Sequence, residues 1–320
     1  MGRIDTSDLK PITSVESATL FLVFLEKHAI QTALIDPSGE PDMKSDAPSR
    51  MALMVAGQRA AHQLLDHGAI LDDPYAVRIL GEHKDNLLQA LNGHPLASLG
   101  RLFNAARSRI AEDALSKAVE RGVRQVVILG AGLDTFALRN PHAARISVFE
   151  VDHPATQAWK RQLLMGAELA PPSWLTFVPV DFERDDLQQK LSSAGFQRAS
   201  AAFFTWLGVV PYLTRDAIDD TLGYIASIPN SEVVFDYVEP PETWTEDVKA
   251  LAAARMAPLE KINEQWVSLF EPAGVAAILR SLGFDDMEDI SFQQVVSRFG
   301  RDVQGLATGQ LSVHAVHAKH

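Results

Sequence analysis

The chain has 320 residues, 47% hydrophobic and 22% charged, which is ordinary for a globular protein long enough to bury a large core. A net charge of −12 argues against nucleic-acid or anionic-membrane surfaces, which depend on clustered lysine and arginine. With no cysteine, disulfides, thiolate metal sites and cysteine nucleophiles are excluded; with no basic stretch leading into an apolar core at the N-terminus, the expected location is the cytoplasm.

Ser17–Thr32 reads as a helix, too short and too interrupted by Glu26, Lys27 and His28 to span a bilayer. Asp36–Arg50, with Pro37, Gly39, Pro41 and Pro48, reads as a loop or linker. Met51–His67, Pro74–Leu91 and Leu99–Arg121 have apolar residues at helical spacing, the last with Gly122 as a C-cap. From Val123 the pattern becomes strand–helix alternation. Strands are expected at Gln125–Leu129, Ile146–Val151, Leu175–Val180, Ala201–Trp206 and Glu232–Val238, with helices at Pro154–Met165, Leu187–Ala194 and Arg215–Ile228. Such alternation predicts a parallel sheet with right-handed crossovers. Pro240–Ser268 reads as a helical insertion and Val275–Leu282 as a helix. Met287–Ser291 and Leu311–Val316 read as two closing strands. One domain is expected over 1–320: a helical cap over 1–120 and an α/β core over 121–320, with the insertion near 240–268.

The most informative segment is Val126-Val127-Ile128-Leu129-Gly130-Ala131-Gly132-Leu133-Asp134-Thr135. A buried strand runs into a Gly-x-Gly turn, where backbone can approach a nucleotide-like ligand at a helix N-terminus. The next strand ends in Glu150-Val151-Asp152. Either carboxylate could hold a ribose, and the strand-end position favours Asp152; the bland alternative is a helix N-cap before Pro154. Asp181 ends the third strand, where it could accept from an adenine amine while Phe182 packs on the ring; a strand-end aspartate is also an ordinary cap. Gly208 and Tyr212 fall on the same rim after the fourth strand. Thr135 stands where a dinucleotide fingerprint needs a small residue, and no Tyr-x-x-x-Lys pair follows the fourth strand. Both weigh against an NAD(P)-dependent oxidoreductase, which remains the alternative. The ten histidines form no ligand-spaced cluster, and no metal site is expected.

Arg124–Thr135, Phe149–Pro154, Val180–Phe182, Gly208–Thr214 and the upstream Ala105–Arg109 together resemble the leucine carboxyl methyltransferase family, in its bacterial O-methyltransferase branch, over roughly residues 50–300. The resemblance implies a Rossmann-like class I methyltransferase: a doubly wound, mostly parallel seven-stranded sheet, a C-terminal antiparallel pair and an N-terminal helical cap. It implies S-adenosyl-L-methionine as cofactor, with Arg107 on the methionine carboxylate, Gly130 and Gly132 close to it, Asp152 on the ribose, and Asp181 and Phe182 at the adenine; Ala131, Asp134, Glu150 and Gly208 complete the expected cofactor-binding set. Two positions depart from the pattern. Leu207 stands where the family often has a glutamate that meets the cofactor's ammonium, and Phe136 where many relatives have arginine. Leu207 keeps open a protein that binds the cofactor without catalysis. The expected reaction is in-line methyl transfer to a carboxylate or hydroxyl of a small molecule. Tyr212, Tyr237 and Glu239 are the candidates for a catalytic role, each equally readable as a structural residue.

Overall fold

The computed structural model describes residues 48–91, 95–244, 249, 266–300 and 313–320. The Ser17–Thr32 helix, nearly all of the Asp36–Arg50 loop and most of the Pro240–Ser268 insertion lie outside them.

Seven strands form one sheet: β1 (Gln125–Leu129), β2 (Ser147–Asp152), β3 (Leu175–Pro179), β4 (Ala202–Trp206), β5 (Glu232–Val238), β6 (Asp286–Ser291) and β7 (Val313–Lys319), in the order β3-β2-β1-β4-β5-β7-β6. Strands β1 to β5 pair in parallel. β7 is antiparallel to both β5 and β6, so it is the one reversed strand, inserted between them. This is the Rossmann-like arrangement expected. The order reverses between β1 and β4, and there the C-terminal strand ends open a crevice.

Two apolar layers cover the sheet. On one face Val127, Leu129, Phe204, Trp206, Phe235 and Tyr237 pack against α6 (Leu187–Ser193), α7 (Arg215–Ala226) and α8 (Pro272–Ser281). On the other, Val126, Ile128, Val148, Phe203 and Val234 meet α3 (Pro95–Glu120), which presents Ala111, Ala114, Leu115, Ala118 and Val119 at helical spacing. The remaining N-terminal helices, α1 (Arg50–Leu65) and α2 (Lys84–Leu91), and Leu80 between them pack with α5 (Pro154–Gly166) through Leu53, Leu87 and Leu164. Ser49 caps α1 by accepting from Ala52 N at 3.2 Å.

Two expectations need correction, and one helix was not expected. Pro74–Leu91 is not one helix: residues 74–80 form turns, and α2 starts only at Lys84, because Gly81 takes a φ of 53°, outside the right-handed helical region. Behind the Gly-x-Gly turn stands only one helical turn, α4 (Phe136–Arg139), so little helix dipole faces the crevice. A short helix, α9 (Phe292–Ser297), follows β6; its capping box of Ser291 and Gln294 was present in the sequence as a signal. Among the described residues no helix is long and apolar enough to cross a membrane.

Candidate functional site

At the end of β1 the backbone turns through positive φ at Gly130 (64°) and Gly132 (47°). A Cβ on Gly130 would collide with the Val209 side chain, so only glycine lets the β1 and β4 ends come this close. The turn is tied down from beneath. Arg59 of α1 donates to Leu133 O at 2.5 Å, and the hydroxyl of fully buried Thr135 donates to the carboxylate of Asp73 at 2.5 Å. Arg139 forks onto Glu112 of α3 at 2.6 and 2.7 Å. Burial disfavours the charge on Asp134, but the cationic Arg59, Arg139 and Lys160, with the Phe136 N–H at 2.6 Å, hold its carboxyl below the usual range.

Asp152 ends β2 with both oxygens engaged by backbone, one by Gly132 N and the other by His153 N at 2.7 Å. Burial nevertheless lifts its carboxyl above the usual range. Glu150 lies one residue pair deeper, where Lys160 Nζ donates to it at 2.5 Å. At the end of β3, Asp181 accepts from Glu183 N at 3.0 Å, and the Phe182 ring sits 6.5 Å from that of Trp206. Beyond β4, residues Val210–Tyr212 form a 3-10 turn, and Pro211 O accepts from Val267 N at 2.6 Å and Ser268 N at 3.2 Å. That pairing brings Trp266 to the same edge. On β5, Asp236 accepts from Gly208 N and from Arg107 Nη1, both at 2.5 Å.

These groups surround one cavity of about 450 Å³. Arg107, Gly130, Ala131, Gly132, Asp134, Asp152, Asp181, Phe182 and Gly208 all line it, as does Tyr212. The other named candidates sit elsewhere. Glu150 is spent on Lys160, which makes it part of the core. β5 alternates, so Asp236 and Val238 face the cavity while Tyr237 points to the opposite layer. There Tyr237 donates to Asp289 at 2.7 Å and stacks on His314, and burial followed by the Asp289 contact pushes its phenol well up. Glu239 pairs with His314 Nε2 at 2.9 Å outside the cavity wall. Phe136 packs in the layer beneath α3.

Sequence reasoning missed Asp236. Its signal was a single acid inside Val233-Val234-Phe235-Asp236-Tyr237-Val238, a run otherwise built for burial. It also missed Asp73, the anchor for Thr135. Among the described residues no group of three or more His, Asp or Glu is arranged to hold a metal ion.

The cavity suits a nucleoside with an amino-acid tail. It offers a glycine cradle that a Cβ would fill, rim carboxylates on adjacent strands, and the buried Arg107 Nε with no hydrogen-bond partner among the described residues. Comparison with known proteins agrees. Residues 52–226 match the family model for leucine carboxyl methyltransferase. A Bacillus subtilis (strain 168) protein named "Putative S-adenosyl-L-methionine-dependent methyltransferase YktD" is 32% identical over 287 residues, 78% of this chain and 93% of its own length. A protein of Mycolicibacterium smegmatis (strain ATCC 700084 / mc(2)155), named as the same kind of methyltransferase, is 35% identical over 67% of this chain and 73% of its own. Among solved structures, one titled a putative methyltransferase from Thermobifida fusca YX shares the fold, with a TM-score of 0.54 at 16% identity, over 87% of this chain and 97% of that one. None of these matches favours an oxidoreductase or a protein without catalysis. The chain belongs to the leucine carboxyl methyltransferase family and is an S-adenosyl-L-methionine-dependent methyltransferase.

Proposed function

We propose that this enzyme methylates a carboxylate or hydroxyl oxygen of a small, largely apolar molecule in the cytoplasm. The observation that carries the reading is the two-part character of the cavity wall. Across β3, β2 and β1 the rim is polar and rich in backbone, with Asp181, Asp152 and the Gly130–Gly132 turn. Beyond the contact of Asp236 with Gly208 and Arg107, the β4 and β5 side becomes apolar and aromatic, with Pro211, Tyr212, Leu213, Val238 and Trp266. The first part suits the cofactor: Asp152 at the ribose hydroxyls, Asp181 and Phe182 at the adenine, and Arg107, Ala131, Asp134 and Gly208 around the methionine tail. The second suits the acceptor. Helices α1 and α3 close over both through Met51, Ala52, Phe103 and Asn104, as a cap would.

When bound, the cofactor's sulfonium supplies an already activated methyl group. The protein's share is then mainly alignment of the acceptor oxygen and exclusion of water, and positioning of this kind can be worth about 7–11 kcal/mol. A carboxylate acceptor needs no base. For a hydroxyl acceptor, Tyr212 is the tyrosine that lines the cavity, and we assign it to orienting the acceptor oxygen. The volume of about 450 Å³ fits small-molecule sites rather than a docked protein surface.

The test is to incubate the enzyme with isotopically labelled cofactor and a panel of aromatic and aliphatic acids, phenols and alcohols, then locate the label by mass spectrometry. Methyl esters or ethers are expected. Turnover confined to amines, carbon acids or macromolecules would overturn the reading.

A further inference from the structure

Position 207 bears a leucine, and its side chain lies in the cavity wall, packed against the α3 layer. No acid therefore precedes Gly208 on the β4 rim. One stands beside it from the neighbouring strand. Asp236 is 3% exposed, lines the cavity, and its Oδ1 accepts from the Gly208 N–H itself. Its Oδ2 accepts from Arg107, which is 6% exposed and rests on the Phe103 ring.

We propose that Arg107 and Asp236 form a matched pair that reads the zwitterionic end of the cofactor's methionine moiety, with Asp236 taking the ammonium for which the β4 rim supplies no acidic side chain. Asp236 uses one of the guanidinium's five N–H groups, and each carboxylate oxygen has a second acceptor site beyond the bond it already makes. The guanidinium packs against Gly208, with Nη2 2.9 Å from where a Cβ would stand, so both charges reach the cavity at one point of the rim. A bare arginine would match the carboxylate and leave the ammonium unpaired in a buried site. The pair matches both charges, and it is neutral before the ligand arrives. Leucine at 207 follows from the same geometry, because an acid there would place a second carboxylate beside Asp236.

This inference rests on the cofactor and is independent of the acceptor. It is tested by calorimetry with three ligands: S-adenosylhomocysteine, its deaminated analogue, which keeps the carboxylate, and methylthioadenosine, which lacks the whole tail. The wild-type protein should prefer S-adenosylhomocysteine to the deaminated analogue by roughly ten- to a hundredfold. Asp236→Asn should abolish that preference and leave methylthioadenosine affinity unchanged. Adding Leu207→Glu to Asp236→Asn should restore it. Should Asp236→Asn fail to fold with Arg107 left unpaired, the Arg107→Gln/Asp236→Asn variant removes both charges of the pair, and it should bind S-adenosylhomocysteine and the deaminated analogue equally. Retention of the wild-type preference in either variant, or an equal loss for all three ligands, would overturn the proposal. Failure of the wild-type protein to bind methylthioadenosine would instead count against the nucleoside site.

Discussion

Thr135 and Asp73 are 62 residues apart, yet the threonine hydroxyl donates to the aspartate at 2.5 Å in a fully buried contact. The hydroxyl therefore fixes the Gly-x-Gly turn to the loop that follows α1, at the position where a dinucleotide-binding turn would need a small residue. Thr135→Val removes the donor at nearly constant volume and should destabilise the protein by about 1–3 kcal/mol, the cost of an unsatisfied buried acceptor. Thr135→Ser should recover most of it. Urea unfolding of the two variants decides the matter, and equal midpoints would refute the strap.

Glu150 and Asp152 share a strand face and have opposite fates. Breaking the buried Glu150–Lys160 pair with Lys160→Met should cost about 3–5 kcal/mol of stability, and S-adenosylhomocysteine should still bind the folded fraction. Asp152→Ala should weaken ligand binding by about 1.5–3 kcal/mol with a smaller loss of stability. Calorimetry paired with thermal unfolding separates the two. The reverse ranking would exchange the assigned roles.

Arg107→Ala has a double consequence. It removes a partner for the ligand carboxylate, and it leaves Asp236 as a buried charge without its cation. A stability loss of about 3–5 kcal/mol should accompany the lost affinity. Unfolding midpoints of Arg107→Ala near those of the wild type would show that Asp236 finds another partner.

Of the two tyrosines proposed for catalysis, Tyr212 lines the cavity and Tyr237 does not. Tyr237→Phe should leave kcat unchanged and cost about 1 kcal/mol of stability through the lost bond to Asp289. Tyr212→Phe should lower kcat/KM by roughly tenfold if its hydroxyl orients the acceptor through one hydrogen bond. A loss nearer 10²–10⁴-fold would assign it proton transfer as well. Steady-state kinetics on an accepted substrate distinguishes these, and a kcat loss confined to Tyr237→Phe would reverse the assignment.

His314 lies between Asp289 and Glu239 at 2.7 and 2.9 Å. Burial opposes its charge, but the two carboxylates outweigh it and hold the ring above its usual 6.5. A pKa raised on folding contributes stability that is complete below the unfolded value and fades as pH rises through the folded one. Stability should therefore decline as pH climbs from about 6.5, and His314→Gln should flatten that decline. Denaturant midpoints across pH 6 to 9 provide the check.

The parts that could be read from the chain are those where local pattern and final environment agree. β1 and β5 were bounded to the residue because nearly continuous apolar runs, interrupted inside β5 by Asp236, are what a strand buried on both faces requires. The rim carboxylates were legible because a strand end followed by a turn places them at the crevice. Asp236 was not, since its site arises from a crossing between β5 and the Gly208 turn that no local spacing encodes. Glu150 stayed a candidate beside the favoured Asp152 because its cation, Lys160, comes from the following helix. Residues 74–80 carried a helical period, but tertiary packing against α5 and the backbone at Gly81 prevailed.

The reversed strand has a consequence for the order in which the protein can be made. β7 lies between β5 and β6, so until residues 313–319 have been synthesised β5 has only β4 as a neighbour. During that interval a strand whose residues are all buried in the finished protein waits as an open edge, the kind of edge that other chains pair with. The strand that follows the other six in the sequence thus protects the element that carries Asp236, and the cavity lacks the wall that holds Val313 until residues 313–319 have been made.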